Sequence, residues 1–158
     1  MNSFRTAESV SPSHPDKLCD QVSDAILDAY LAVDPYARCA VDVAGGHGKL
    51  FVTGEVSSLG QPELESTIRR IVGPDIEIIY SLANQSTEIA QGVDVGGAGD
   101  QGIMVGYACT ETPEKLPLEV ILARNLNQYL YEIWPHDGKT QVTLRNGLLE
   151  SIVASFQH

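Results

Sequence analysis

Between Pro15 and about Val33 the apolar residues Leu18, Val22, Ile26 and Ala29 recur at helical spacing, with Ala25 and Val33 beside them and Asp20, Asp24 and Asp28 opposite. A repeat near 3.6 with acids on the far side predicts an amphipathic helix. The period then changes. ARCAVDVA and KLFVTGEV alternate and are joined by GGHG, which predicts a hairpin. Leu64, Ile68 and Ile71 predict a second helix from Pro62 to Val72, and IEIIY after it reads as a buried strand. NQSTEIAQGVDVG is polar and carries no apolar run, whereas IMVGYAC beyond it reads as another buried strand. From Pro117 to Ile133 the residues Leu118, Ile121, Leu122, Leu126, Tyr129 and Leu130 share one helical face, and Trp134-Pro135 ends the helix. TQVTLR and LLESIVASF flank Asn146-Gly147, a strong type I′ turn signal, and predict a second hairpin.

Strands in hairpins with helices between them predict an α+β fold, a mixed or largely antiparallel sheet with helices on one face. An antiparallel sheet faces water on its other side only where that side alternates to polar. LFVTGEV and SIVASF are apolar at both parities, so the sheet's other face is expected to pack against a partner, as in a homo-oligomer joined sheet to sheet. A chain of 158 residues is one domain or two small interleaved subdomains, long enough to bury roughly 68–70% of its unfolded surface.

No stretch approaches the ~20 apolar residues of a membrane span, and MNSFRTAESV lacks the plan of a signal peptide, so the expected compartment is the cytoplasm. Cys19, Cys39 and Cys109 are odd in number and far apart, with no C-x-x-C, and suggest neither a disulfide framework nor a zinc site. A net charge of −11 argues against nucleic acid or an anionic membrane as partner. A polyphosphate ligand would need metal ions and a few placed cations.

Candidate chemistry gathers in three places. In ESVSPSHPDK, Pro15 suits a first helical position, so His14 or Ser13 caps the helix and the free amides make an anion site beside Asp16 and Lys17. The competing and commoner arrangement is a capping box, Ser13-x-x-Asp16, in which Asp16 only satisfies backbone donors. GGAGDQG matches G-x-G-x-x-G through Gly97, Gly99 and Gly102. That fingerprint binds dinucleotides when a strand precedes it and a helix follows, and here the order is reversed. Asp100 within it is a plausible hard-cation ligand or the residue of a tight turn. Lys139 in HDGKTQVT stands at a strand entrance within reach of a phosphate. Asp42, Glu55 and Gln91 are individually uninformative, and no Walker A, G-x-S-x-G or H-E-x-x-H motif is present.

In order, ESV, HPDK, DQVSDAILDA, TGEV, QGV, GAGDQGIMVGYA and KTQVT resemble the front portion of the S-adenosylmethionine synthetases, or methionine adenosyltransferases, from about Glu8 to His158. The resemblance implies an enzyme that joins ATP to L-methionine, uses Mg²⁺ and K⁺, and releases phosphate and pyrophosphate. It implies that His14 stabilises the leaving oxygen, that Asp16 holds Mg²⁺, that Lys17 lies beside the triphosphate, and that Asp137 and Lys139 face ATP. Glu8 is counted among the substrate contacts, Glu55 and Gln91 would touch methionine, Asp100 would bind its amino group or the metal cluster, and Asp42 would occupy the K⁺ position. The sequence departs from the family in Ser13, where glycine is usual, in Asp42, where glutamate is usual, and in the span between QGV and GAGDQG, reduced to Asp94, Val95 and Gly96. The family's later part, with a second Gly-rich phosphate loop and further cations, is absent. The expectation is therefore the N-terminal portion of a synthetase, its active site completed by a second chain or within a homo-oligomer. The alternative is a catalytically incomplete methionine- or nucleotide-binding regulatory module.

Overall fold

The computed structural model describes residues 3 to 158, apart from the side chains of Thr87 and Ile89. In chain order the elements are β1 (Phe4–Val10), α1 (Pro15–Val33), β2 (Arg38–Gly46), β3 (Lys49–Ser57), α2 (Leu64–Val72), β4 (Glu77–Asn84), α3 (Thr87–Asp94), α4 (Leu118–Ile133), β5 (Gly138–Arg145) and β6 (Leu148–Phe156). The class is α+β as expected, but the strands divide into two three-stranded sheets. The chain forms two compact units, one of Met1–Lys17 with Met104–His158 and the other of Leu18–Ile103.

In the first unit β5 is central, antiparallel to β1 on one side and to β6 on the other. The expected hairpin forms, with Asn146 at φ 51° and Gly147 at φ 80° making the left-handed turn that Asn-Gly favours. Alternate residues of β5, Thr140, Val142 and Leu144, are buried and pack with Ala7, Leu118, Leu122 and Ala123. The most buried face of α4 is offset from the apolar stripe, of which Leu118 and Leu122 still pack against the core. Glu119, Ala123 and Asn127 are its buried residues, while Tyr129 is exposed. Ala123 allows close approach, so that its carbonyl accepts from Thr140 Oγ1 at 2.8 Å, and Asn127 Nδ2 donates to Ser9 O at 3.0 Å. Asn127 is satisfied by that bond, while buried Glu119 Oε2 is compensated by charge alone, 3.0 Å from Arg5 Nη2 in an ion pair outside hydrogen-bond geometry.

In the second unit β2 and β3 form the expected antiparallel hairpin and β4 joins β3 in parallel, with α2 as the crossover. One face carries the core: Leu50, Val52 and Val56 of β3 against Val22, Ile26 and Tyr30 of α1 and Ile68 of α2. The segment IMVGYAC is not a buried strand. It belongs to no strand, and Ile103, Met104 and Val105 are 93%, 93% and 94% exposed. An apolar run becomes a strand only where an edge accepts it, and none of the described strands does. NQSTEIAQGVDVG, without an apolar run, instead supplies the end of β4 and all of α3. Among the described residues no helix is long and apolar enough to cross a membrane.

Candidate functional site

The candidate residues fall into two sets, one in each unit. In the first unit β1 ends at Val10 and the chain turns into α1, with His14 N donating to Ser11 O at 3.0 Å. His14 Nδ1 accepts the Asp16 amide at 3.2 Å, so His14 performs the helix-capping role. Ser13 Oγ is engaged with the Tyr131 hydroxyl at 3.0 Å. Because Nδ1 accepts an N–H, the ring proton sits on Nε2, which is left as a donor. The Asp16 carboxylate is 3.7 Å from His14 Nδ1 and its side chain is 80% exposed. Lys17 is exposed one residue further on.

Glu8 and Lys139 are on adjacent strands, Glu8 opposite Gln141 and Lys139 opposite Val10. Both alternate with residues buried against α4, so they share the other face, where Lys139 Nζ and Glu8 Oε1 are 3.4 Å apart. Asp137 precedes β5, and its carbonyl accepts from Gln157 N at 2.8 Å.

In the second unit Asp42 stands opposite Thr53, and Glu55 opposite both Ala40 and Ala83. They alternate with the core residues Val41, Val43, Val52 and Val56, which places both on the face away from α1 and α2. Glu55, Cys39, Arg38, Gln85 and Val93 line a cavity of about 210 Å³. Gln85 Oε1 is buried there with no hydrogen-bond partner among the described residues, an acceptor suited to a ligand's donor. Burial pushes the Cys39 thiol up, leaving it protonated at neutral pH. Arg38 Nη1 reaches Asp94 Oδ1 at 2.7 Å and ties α3 to β2. Gln91 is exposed on α3, and the exposed Asp100 accepts the Gln101 amide at 2.6 Å, a local turn bond.

The Gly-rich loop has a different task from the one its fingerprint suggests. Gly96 N donates to Val93 O and Gly97 N to Gly92 O, each at 2.9 Å, with Gly96 at φ 87°. Paired 5→2 and 6→1 bonds with a left-handed glycine make a Schellman cap, so the first glycines terminate α3. Among the described residues no three His, Cys, Asp or Glu side chains cluster to hold a metal. Asp16 fits Mg²⁺ as a single carboxylate, because Mg²⁺ commonly takes one or two carboxylates and completes its shell with water and substrate phosphates. Asp42 offers K⁺ one carboxylate on a bare sheet face.

Three residues near these positions are not among the candidates read from the sequence. Ser11 is fully buried between the two loops of the first unit, and Arg38 and Gln85 line the Glu55 cavity. A serine before a proline and a glutamine before a Ser-Thr pair carry no periodic signal.

Family models match both portions of the chain: the S-adenosylmethionine synthetase N-terminal domain over residues 2–93, and the central domain of the same enzymes over residues 95–158. The chain belongs to the S-adenosylmethionine synthetase family. It is similar to the S-adenosylmethionine synthase of Synechococcus sp. (strain CC9605), 40% identical over 191 aligned positions that cover 97% of this chain and 46% of that protein. S-adenosylmethionine synthase 1 of Frankia casuarinae is 40% identical, covering 97% of this chain and 48% of that protein. The S-adenosylmethionine synthase of Salinispora tropica is 38% identical, with 97% and 49% covered. The chain thus spans about half the length of the curated relatives it matches. An alignment of 191 positions exceeds the 158 residues of the chain, so the relatives carry insertions relative to it.

Proposed function

We propose that this protein is the N-terminal portion of an S-adenosylmethionine synthetase working in the cytoplasm, with ATP and L-methionine as substrates and its site completed by a further chain or within a homo-oligomer. The thioether sulfur of methionine attacks C5′ of the ribose, the C5′–O bond breaks, and the triphosphate leaves with the bonding pair before hydrolysis to phosphate and pyrophosphate. Such a displacement needs little acid–base chemistry and much stabilisation of gathering negative charge. The observation that carries this reading is the His14 geometry: Nδ1 is committed to the Asp16 amide, which leaves Nε2–H as a fixed donor at an anion-favouring helix start.

Around that donor, Lys17, Lys139 and Asp137 would face the ATP phosphates and ribose, with Glu8 holding Lys139. Asp16 would hold Mg²⁺, which neutralises phosphate charge when bound, and Asp42 would serve K⁺. Glu55 and Gln91 would contact methionine, the buried Gln85 oxygen would accept from it, and Asp100 would take its ammonium. A net charge of −11 supports completion by another segment or chain rich in cations. A second reading, a methionine- or nucleotide-binding regulatory module, draws support from the Lys139–Glu8 pair, which already engages a cation that the resemblance assigns to ATP.

The test is S-adenosylmethionine formation, followed by mass, with ATP, methionine, Mg²⁺ and K⁺. The assay uses the protein alone and the protein with any chain that co-purifies from its source. Turnover in either preparation is the expected result. Methionine or ATP binding without turnover in both preparations would favour the regulatory module.

A further inference from the structure

Ser11 sits at the junction of the two loops that the synthetase reading assigns to ATP, and every polar group it owns is spent on them. Its side chain and backbone are fully buried. Its amide donates to Gly138 O at 2.8 Å, its Oγ donates to His136 O at 3.0 Å, and the Gly138 amide donates back to Oγ at 3.0 Å. On the other side its carbonyl accepts the His14 amide at 3.0 Å, which sets the turn that delivers His14 as the cap of α1.

The last ladder pair between β1 and β5 is Val10 with Lys139. Beyond it the strands diverge into loops, and only a residue able to donate and accept through one short side chain can hold both loops at that point. Ser11 does so, extending the ladder by one rung made half of backbone and half of hydroxyl. The clamped segment is pinned on its far side too, where Gln157 N donates to Asp137 O at 2.8 Å and a Cβ on Gly138 would run into the Phe156 ring.

We propose that Ser11 is the positioning residue for the phosphate side of the site, locking the turn that carries His14 and Lys17 to the strand entrance that carries Asp137 and Lys139. The inference rests on the synthetase reading for its meaning but not for its geometry. Glu55, Gln91 and Asp100, assigned to methionine, belong to the other unit, and none of Ser11's four bonds above involves them. The lock therefore acts on one substrate and not on the other.

Two measurements test it. In the active preparation, S11A is expected to raise KM for ATP by about tenfold, the scale of leaving buried donors and acceptors unpaired, while KM for methionine stays within about twofold. S11T, which keeps the hydroxyl, should recover most of the ATP affinity. Unchanged kinetics in S11A, or equal losses for both substrates, would overturn the proposal, since a residue that merely stabilises the fold has no reason to separate them.

The second measurement needs no activity. Hydrogen exchange in the purified protein should show the His14 and Gly138 amides of S11A speeding up together, with the Asn146 amide, bonded to Ser3 O at 2.9 Å, unchanged. Acceleration at Gly138 alone, or at all three, would overturn the lock. An inactive wild-type preparation with the expected exchange pattern would count against the synthetase reading and leave the lock standing.

Discussion

Under the proposed function His14 joins fold and chemistry in a single side chain. One ring nitrogen caps α1 and the other remains a donor, so two substitutions separate the roles. H14A should cost about 1 kcal/mol of stability by loss of the cap. H14N keeps a good capping residue, and its melting temperature should stay close to wild type. In an active preparation both should lose roughly 10²–10³ in kcat, the scale of one removed oxyanion donor. A melting temperature equal in H14A and wild type would disprove the cap, and an active H14N would disprove the donor.

Arg5 carries a second prediction at this scale. It donates to both oxygens of Glu111, at 2.6 and 2.8 Å, and that hydrogen bonding first of all holds the Glu111 carboxyl down from 4.5 to about 2. Because the folded value lies below the unfolded one, the contribution is complete above about 4.5 and is lost as pH falls through about 2. Acid titration of wild-type stability should therefore decline across that window, and E111Q should flatten the decline. Of these residues, His14, Asp16 and Lys17 were legible as a motif. Ser11 and the Arg5 network were not, because nothing local distinguishes a serine or arginine that bonds partners more than a hundred positions away.

Elements were legible in proportion to their local signal. The strong period of α1, the hairpin alternation and the Asn146-Gly147 turn all gave the elements that form. The strand β1 has no such signal, since its outward positions Phe4, Thr6, Glu8 and Val10 mix apolar with polar and its pairing partner begins at Gly138. The helix α3 is likewise weak in apolar content and is defined by its glycine cap. Gly96→Ala, at φ 87°, should cost about 1 kcal/mol and raise amide exchange throughout α3. Gly54→Ala is predicted to be harsher: with φ at 140° and a Cβ driven into Ala40 O, it should lose about 1–3 kcal/mol or more and, under the proposed function, weaken methionine binding through the neighbouring Glu55. Thermal denaturation and calorimetry check both.

At the scale of the whole molecule, each sheet packs one face against its core helices. The strand-borne candidates Glu8, Lys139, Asp42 and Glu55 all lie on the opposite faces, Glu55 beside Val93 of α3. The same surfaces hold half-exposed Phe51 and Val153, and the edge strand β6 exposes Leu148, Leu149 and Ile152 as well. Apolar surface of this kind favours association. Sedimentation of the purified protein should accordingly show concentration-dependent association, and L149K together with V153K should reduce it without lowering the melting temperature. A monomer at all concentrations would remove the argument for a partner on these faces.

The amino-acid sequence by itself determined what is encoded within a turn or two of chain: the long amphipathic helices, the two hairpins, an acidic surface, and motifs specific enough to indicate a family. The tertiary structure alone decided the pairing of β1 with β5 and which side of α4 is buried. It also decided that IMVGYAC stays uncovered while a polar segment folds into α3, and that Ser11 binds two loops into one rung. The division has a physical cause. Periodicity and turn chemistry report energies between near neighbours, whereas strand partners, helix faces and buried hydroxyl clamps depend on residues brought together only by the completed fold.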